Sequence, residues 1–168
     1  LAAPFDTVTF CLSKGLGCPV GGLLAGDGRR IERARRYKQA LGGAMRQAGV
    51  IAAAGLYALE RHVDRLADDH RRAHRLAEGL ARLPGIEIEL DRVQTNMVFF
   101  RITDTRFSPG SFVAALKERG LILSHGEGDE LRAVTHLDVD DADIDRALQI
   151  IAETLAAGPG TGDAARTA

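Results

Sequence analysis

The chain has 168 residues, a length that suits one domain or part of a larger subunit, with 45% hydrophobic and 27% charged residues. That balance belongs to an ordinary soluble globular protein and excludes a disordered or membrane-spanning one. The formal net charge of -1 implies no polyanion, so no nucleic-acid partner is expected.

No membrane partner is expected either, because the longest apolar stretch, Ala48 to Leu59, falls short of the roughly 20 apolar residues a bilayer requires. It reads as a buried core helix. The two cysteines, Cys11 and Cys18, flank a glycine-rich turn and suit a reducing cytoplasm better than a disulfide framework. The start has no basic region followed by a long apolar run, so it does not read as a secretory signal. It opens on Leu rather than Met, and a strand begins almost at once, so the chain reads as starting mid-protein.

Thr7 to Leu12 is a β-branched and apolar run bounded by Ser13-Lys14-Gly15, and Val20 to Ala25 repeats the pattern after Pro19. Two strands are expected, with Lys14 in the loop at a strand edge, where functional side chains commonly sit. From Asp27 onward, Ile31, Ala34, Arg35 and Lys38 recur at helical spacing until Gly42-Gly43 stops the helix. A mostly apolar helix is expected from about Gln47 to about Val63. Asp64 to Leu83 then reads as a long amphipathic surface helix, with Leu66, His70, Ala73, Ala77 and Leu80 on its apolar face.

Pro84-Gly85 breaks this pattern, and strands follow: Ile86 to Leu90 alternates, and Asn96 to Ile102 is a buried run. Ser108 opens a helix to about Arg119, Leu121 to Leu123 and Leu131 to Thr135 read as strands, and Asp140 to Ala156 reads as a final helix. This succession fits a small α+β domain. Residues 158–168 are small, polar and glycine-rich and are expected to form a disordered tail.

A lysine that forms an imine must lose its proton part of the time, which calls for desolvation or neighbouring positive charge. Lys14 follows an apolar strand and is surrounded by Gly15, Leu16, Gly17 and Pro19, which add no counter-ion and admit a flat cofactor. By pattern alone a surface lysine in a turn is the commoner occupant. His70 and His74 stand at i and i+4, a zinc-chelating spacing, but no Glu sits beside the first, and no metal is expected. Asp138-Val-Asp-Asp141 lacks the glycine and terminal glutamate of a calcium loop and reads as a helix N-cap. His136 reads either as a tuner of a nearby pocket or as a hydrogen-bonded histidine at a strand end.

The segment from Asp6 to Gly26, with Cys-Leu-Ser-Lys-Gly-Leu-Gly-Cys-Pro-Val-Gly-Gly at its centre, resembles the cofactor-lysine region of the low-specificity threonine aldolases. Leu41 to Leu59, Asn96 to Phe100 and Leu131 to Val139 resemble later blocks of that family, in order, so the likeness runs from residue 5 to about 155. The resemblance implies an α/β fold of the aspartate-aminotransferase type, fold type I. Residues 1–84 would be the end of the cofactor-binding large domain, and 85–157 a small α+β C-terminal domain. It implies pyridoxal 5'-phosphate as cofactor and cleavage of L-threonine or L-allo-threonine, a β-hydroxy amino acid, to glycine and acetaldehyde. It also implies a homotetramer.

By the same resemblance Lys14 is the lysine that holds the cofactor, Arg46 lies near the cofactor phosphate, and Lys38 lines the site. Arg132 matches the arginine that pairs with the substrate carboxylate, a task suited to a planar guanidinium fork. Without the resemblance, Arg132 reads as an edge-strand surface arginine, Arg46 as a charge at a helix start, and Lys38 as part of a solvated basic face. Cys18 stands where the family commonly has alanine and Gly22 where it has serine. A full family member is longer, and its first half carries the phosphate cup, the ring-stacking histidine and the aspartate for the ring nitrogen. The chain therefore reads as the C-terminal part of a subunit. A β-eliminating lyase, an aminotransferase and a non-catalytic truncated fragment remain as other readings.

Overall fold

A computed structural model describes residues 2–126 and 128–159. The tail expected at 158–168 lies, from residue 160 onward, outside the described residues. The chain divides into two units, Leu1–Leu66 and Ala67–Ala168.

The first unit opens with a hairpin of β1 (Thr7–Cys11) and β2 (Gly22–Gly26), antiparallel, with Thr7 opposite Gly26 and Cys11 opposite Gly22. Helix α1 (Gly28–Ala40) is capped by Asp27, whose side chain accepts the Arg30 backbone N–H. None of its residues is buried. Helix α2 (Gly49–Arg61) departs from the expected core helix: only Gly55 and Ala58 are buried, while Val50 is 80% exposed and Leu56 and Tyr57 are also exposed. The reason is the size of what it packs on. The core of this unit is Leu12, Leu16, Cys18 and Ala58, with Ala54 and Leu66 at its edge, and so covers one narrow stripe of α2.

In the second unit, β3 (Ile86–Glu87), β4 (Met97–Ile102), β5 (Ser124–His125) and β6 (Glu130–Val134) form an antiparallel sheet in the order β3-β4-β6-β5. Val98 stands opposite Ala133 and Phe100 opposite Leu131, so these four point to one face. Helices α3 (Leu66–Leu80), α4 (Pro109–Glu118) and α5 (Asp141–Ala157) supply Leu76, Leu80, Phe112, Leu116, Ile144 and Ile151 to the same core. The result is a two-layer α+β arrangement. Capping boxes start α4 at Ser108 and α5 at Asp140, which places the Asp138 to Asp141 run at a helix N-cap.

Helix α3 spends its apolar stripe on this second core, and so groups with the second unit although it precedes the break at Pro84-Gly85. The stripe through Ala73, Leu76, Ala77 and Leu80 runs back through Asp69, which is buried, rather than through His70, which is exposed. The Asp69 carbonyl accepts the Thr135 hydroxyl at 2.7 Å. Two expected strands are shorter or displaced. Only Ile86 and Glu87 reach β4, and Leu90–Arg92 turns into a 3-10 helix. Leu121 closes α4 through a bond to the Leu116 carbonyl and packs into the core with Leu123, so pairing with β6 begins only at Ser124.

Candidate functional site

The loop from Leu12 to Gly21 is shaped by three backbone bonds: Leu12 N–H to the Gly21 carbonyl at 2.9 Å, Cys18 N–H to Leu12 at 3.0 Å, and Gly17 N–H to Lys14 at 2.9 Å. Gly17 has φ 71° and Gly21 φ 131°, backbone that side-chain-bearing residues rarely adopt. Buried Leu12, Leu16 and Cys18 root the loop in the core, which leaves Ser13 and Lys14 on the exposed side. Among the described residues no carboxylate pairs with the Lys14 amino group.

Two further side chains, Cys11 and His62, contact the loop that carries Lys14. The Cys11 thiol lies 3.1 Å from the Ser13 hydroxyl, and the Ser13 hydroxyl and backbone N–H hold it below the usual thiol range, with a smaller contribution from the Lys14 charge. His62, at the end of α2, bonds the Leu16 carbonyl through Nδ1 at 2.7 Å. No sequence spacing announces that bond, because 46 residues separate its partners.

Lys38 and Arg46 belong to the same unit as Lys14. The Gly43 N–H donates to the Lys38 carbonyl at 2.7 Å, and a Cβ on Gly43 would meet Lys38 Cγ at 3.0 Å. The glycine pair therefore folds the chain back on Lys38 before it runs to Arg46. Gln47, between Arg46 and α2, has φ 53°, the left-handed region that a non-glycine residue enters only when its surroundings demand it. Lys38 and Arg46 are both exposed, with no acidic partner among the described residues.

Arg132 lies in the second unit. Its neighbours Leu131 and Ala133 face the core, so Arg132 projects from the open face of the sheet. It stands directly opposite Phe99 of β4 and Ser124 of β5. Beside this row Arg101 pairs with Glu130 at 3.0 Å, but no acid pairs with Arg132 among the described residues. Its Nε is buried without a hydrogen-bond acceptor among the described residues. A buried, unsatisfied guanidinium nitrogen is costly, and its donor geometry fits a carboxylate. The arginine is thus half-buried on an open sheet face rather than a solvated edge charge.

His136 Nδ1 accepts the Asp138 N–H at 3.2 Å, the role of a hydrogen-bonded histidine just past a strand end. His70 and His74 are exposed on α3, and no group of three metal-ligating side chains occurs among the described residues. No helix among the described residues is long and apolar enough to cross a membrane.

The beta-eliminating lyase family profile matches residues 1–103. The chain is 38% identical over 151 residues to the low-specificity L-threonine aldolase 1 of Arabidopsis thaliana, covering 89% of this chain and 42% of that protein. It is 43% identical over 134 residues to the low specificity L-threonine aldolase of Escherichia coli K12, covering 80% of this chain and 38% of that protein. The chain thus spans about two fifths of the length of these relatives. Among solved structures, a serine palmitoyltransferase of Sphingomonas wittichii superposes with a TM-score of 0.73 at 20% identity, over 90% of this chain and 40% of that one. A PLP-dependent aminotransferase from Streptococcus suis superposes with a TM-score of 0.67 at 15% identity, over 92% and 42%.

Proposed function

The chain belongs to the beta-eliminating lyase family, and from that premise we propose that it supplies the lysine-bearing part of a threonine aldolase site that takes pyridoxal 5'-phosphate. The fold is the α/β fold of the fold-type-I enzymes. The reaction is cleavage of L-threonine or L-allo-threonine to glycine and acetaldehyde. Relatives that bear the threonine aldolase name, in a plant and a bacterium, support this reading. When bound, pyridoxal phosphate supplies the electron sink for the pair released as the Cα–Cβ bond breaks.

The chain's own residues divide the remaining work. Lys14, presented on the exposed side of its loop, would hold the cofactor through Nζ. Arg46 supplies positive charge near the cofactor phosphate, and Lys38 lines the site. Arg132 grips the substrate carboxylate with its fork. The observation that carries the substrate assignment is the buried Arg132 Nε, which has no acceptor within the described residues.

Residues 1–84 would close the cofactor-binding domain and 85–157 form the small domain. The exposed apolar side chains of α2, Val50, Leu56 and Tyr57, support burial against further protein in a homo-oligomer, in the extreme a tetramer. Two free thiols support a reducing cytoplasm.

The test is borohydride reduction of the full-length enzyme followed by peptide mapping, with the label expected on Lys14. Label on any other lysine overturns the assignment. The family's description favours a second reading, β-elimination with pyruvate as product. Acetaldehyde released from L-threonine, assayed beside pyruvate and other keto acids, separates the two.

A further inference from the structure

The three backbone bonds within the Leu12 to Gly21 loop shape it but do not set its attitude to the rest of the unit. Helix α2 does that. It makes two polar contacts with the loop: the Cys18 thiol to the Ala54 carbonyl at 3.4 Å, and His62 Nδ1 to the Leu16 carbonyl at 2.7 Å. A thiol is a weak donor, so the imidazole is the principal polar tether.

A carbonyl can only accept, so Nδ1 of His62 carries the hydrogen, and the tautomer follows from the contact itself. The residue is anchored at its backbone and, separately, at its ring. Its backbone N–H bonds the Ala58 carbonyl at 2.8 Å as the C-cap of α2, and Tyr57 meets the ring edge-on, with centroids 5.4 Å apart at 88°. It is thus poised rather than free to swing.

The peptide it grips is the one that matters for Lys14. The Leu16 carbonyl and the Gly17 N–H belong to a single planar unit, and the Gly17 N–H donates to the Lys14 carbonyl at 2.9 Å. A pull on one side of that plane is therefore transmitted to the other. Gly17, at φ 71°, tolerates backbone conformations that other residues avoid, so this peptide has little intrinsic preference of its own. Its orientation is set by two bonds, the internal one to the Lys14 carbonyl and the external one from His62.

We propose that His62 is the positioning residue of the Lys14 loop: its Nδ1–H holds the Leu16–Gly17 peptide, and through it the Lys14 backbone and the stance of the lysine amino group. It touches neither substrate nor cofactor. The proposal rests on Lys14 being the cofactor lysine, as given above.

Three variants of the full-length holoenzyme separate positioning from mere packing. His62→Phe keeps a ring against Tyr57 but removes the donor. His62→Asn loses the ring contact but places an amide N–H close to where Nδ1 stands. Tyr57→Leu removes the edge contact and leaves the imidazole. Hydrogen exchange at the Gly17 amide is the local readout. It is expected to quicken roughly five- to tenfold in His62→Phe, and to stay near wild type in His62→Asn and Tyr57→Leu.

In steady state, His62→Phe is expected to lower kcat on the order of tenfold, with KM for the amino acid within about twofold, and His62→Asn to recover most of the loss. His62→Phe with wild-type kcat and wild-type Gly17 exchange would overturn the proposal, whatever its melting temperature. So would a His62→Asn variant as impaired as His62→Phe. Borohydride labelling of the wild type runs alongside. Label away from Lys14 sinks the cofactor-lysine reading, whereas the Gly17 exchange still reports on the tether by itself.

Discussion

A Cβ built on Gly55 of α2 would stand 3.1 Å from Leu12 Cδ1, so helix and strand end meet where little more than a hydrogen fits. Leu12 is buried at the base of the lysine loop, which makes this contact the apolar counterpart of the His62 tether. Gly55→Ala gains about 0.5–1 kcal/mol of helix propensity and asks only the far end of a leucine to yield, so its stability should stay within about 1 kcal/mol of wild type. Gly55→Val adds branched bulk at the same point and should cost about 1–3 kcal/mol. Urea unfolding of the two variants measures the difference, and equal midpoints would refute the close-approach account.

The second unit holds a tighter case. A Cβ on Gly79 of α3 would fall 2.4 Å and 2.5 Å from the two methyl carbons of Leu148 on α5. Helix propensity favours alanine there, but Leu148 must leave its place in the core edge, so Gly79→Ala should lose about 1–2 kcal/mol net. The double variant Gly79→Ala with Leu148→Ala should recover part of that, with a coupling of about 1 kcal/mol. Additive losses would show that the two helices do not meet at this pair.

Near these helices, Arg71 and Arg72 both bond Asp141 in the first turn of α5, at 3.0 Å and 3.1 Å. Hydrogen bonds from Arg71 and then Arg72 hold the Asp141 carboxyl below its ordinary 3.8. A carboxyl with a lowered folded value contributes stability that is complete above its unfolded value and disappears as pH falls through the folded one. Unfolding midpoints should therefore fall as the pH drops below the ordinary carboxylate range, and Asp141→Asn should flatten that slope. The slope should not vanish, because Arg106 lowers Asp104 in the same direction. An Asp141→Asn profile parallel to wild type would exclude the pair as a contributor.

What the sequence disclosed follows the range of each interaction. The Lys14 loop was legible because its punctuation, Gly15, Gly17 and Pro19 between two apolar runs, acts on immediate neighbours. Asp140 as a helix cap was legible for the same reason, its bonds reaching only Ala142 and Asp143. The helical periodicity of α3 was read correctly, but its buried stripe passes through Asp69 rather than His70. The exposure of α2 was not legible, since an apolar helix looks the same whether or not something covers it. Nor was the placing of Phe99 and Ser124 beside Arg132, which depends on the register of three strands, one of them some thirty residues away in the chain. The roles of Lys38, Arg46 and Arg132 came from family resemblance, and residue pattern alone favoured solvated charges.

Arg132 gives the sharpest prediction because function and stability should move in opposite directions. Its Nε is buried without an acceptor among the described residues, a cost of about 1–3 kcal/mol for a polar group so placed. Arg132→Met keeps much of the volume and removes that donor, so the substrate-free protein should be no less stable than wild type and up to about 1 kcal/mol more so. The same change removes the fork from the carboxylate, and KM for L-threonine should rise more than about 100-fold. Arg132→Lys keeps the charge but not the paired geometry, and its KM should lie between, about 10- to 100-fold above wild type. Steady-state kinetics and urea unfolding on the same three proteins decide the matter. A destabilised Arg132→Met with unchanged KM would make the arginine a structural residue of the open sheet face.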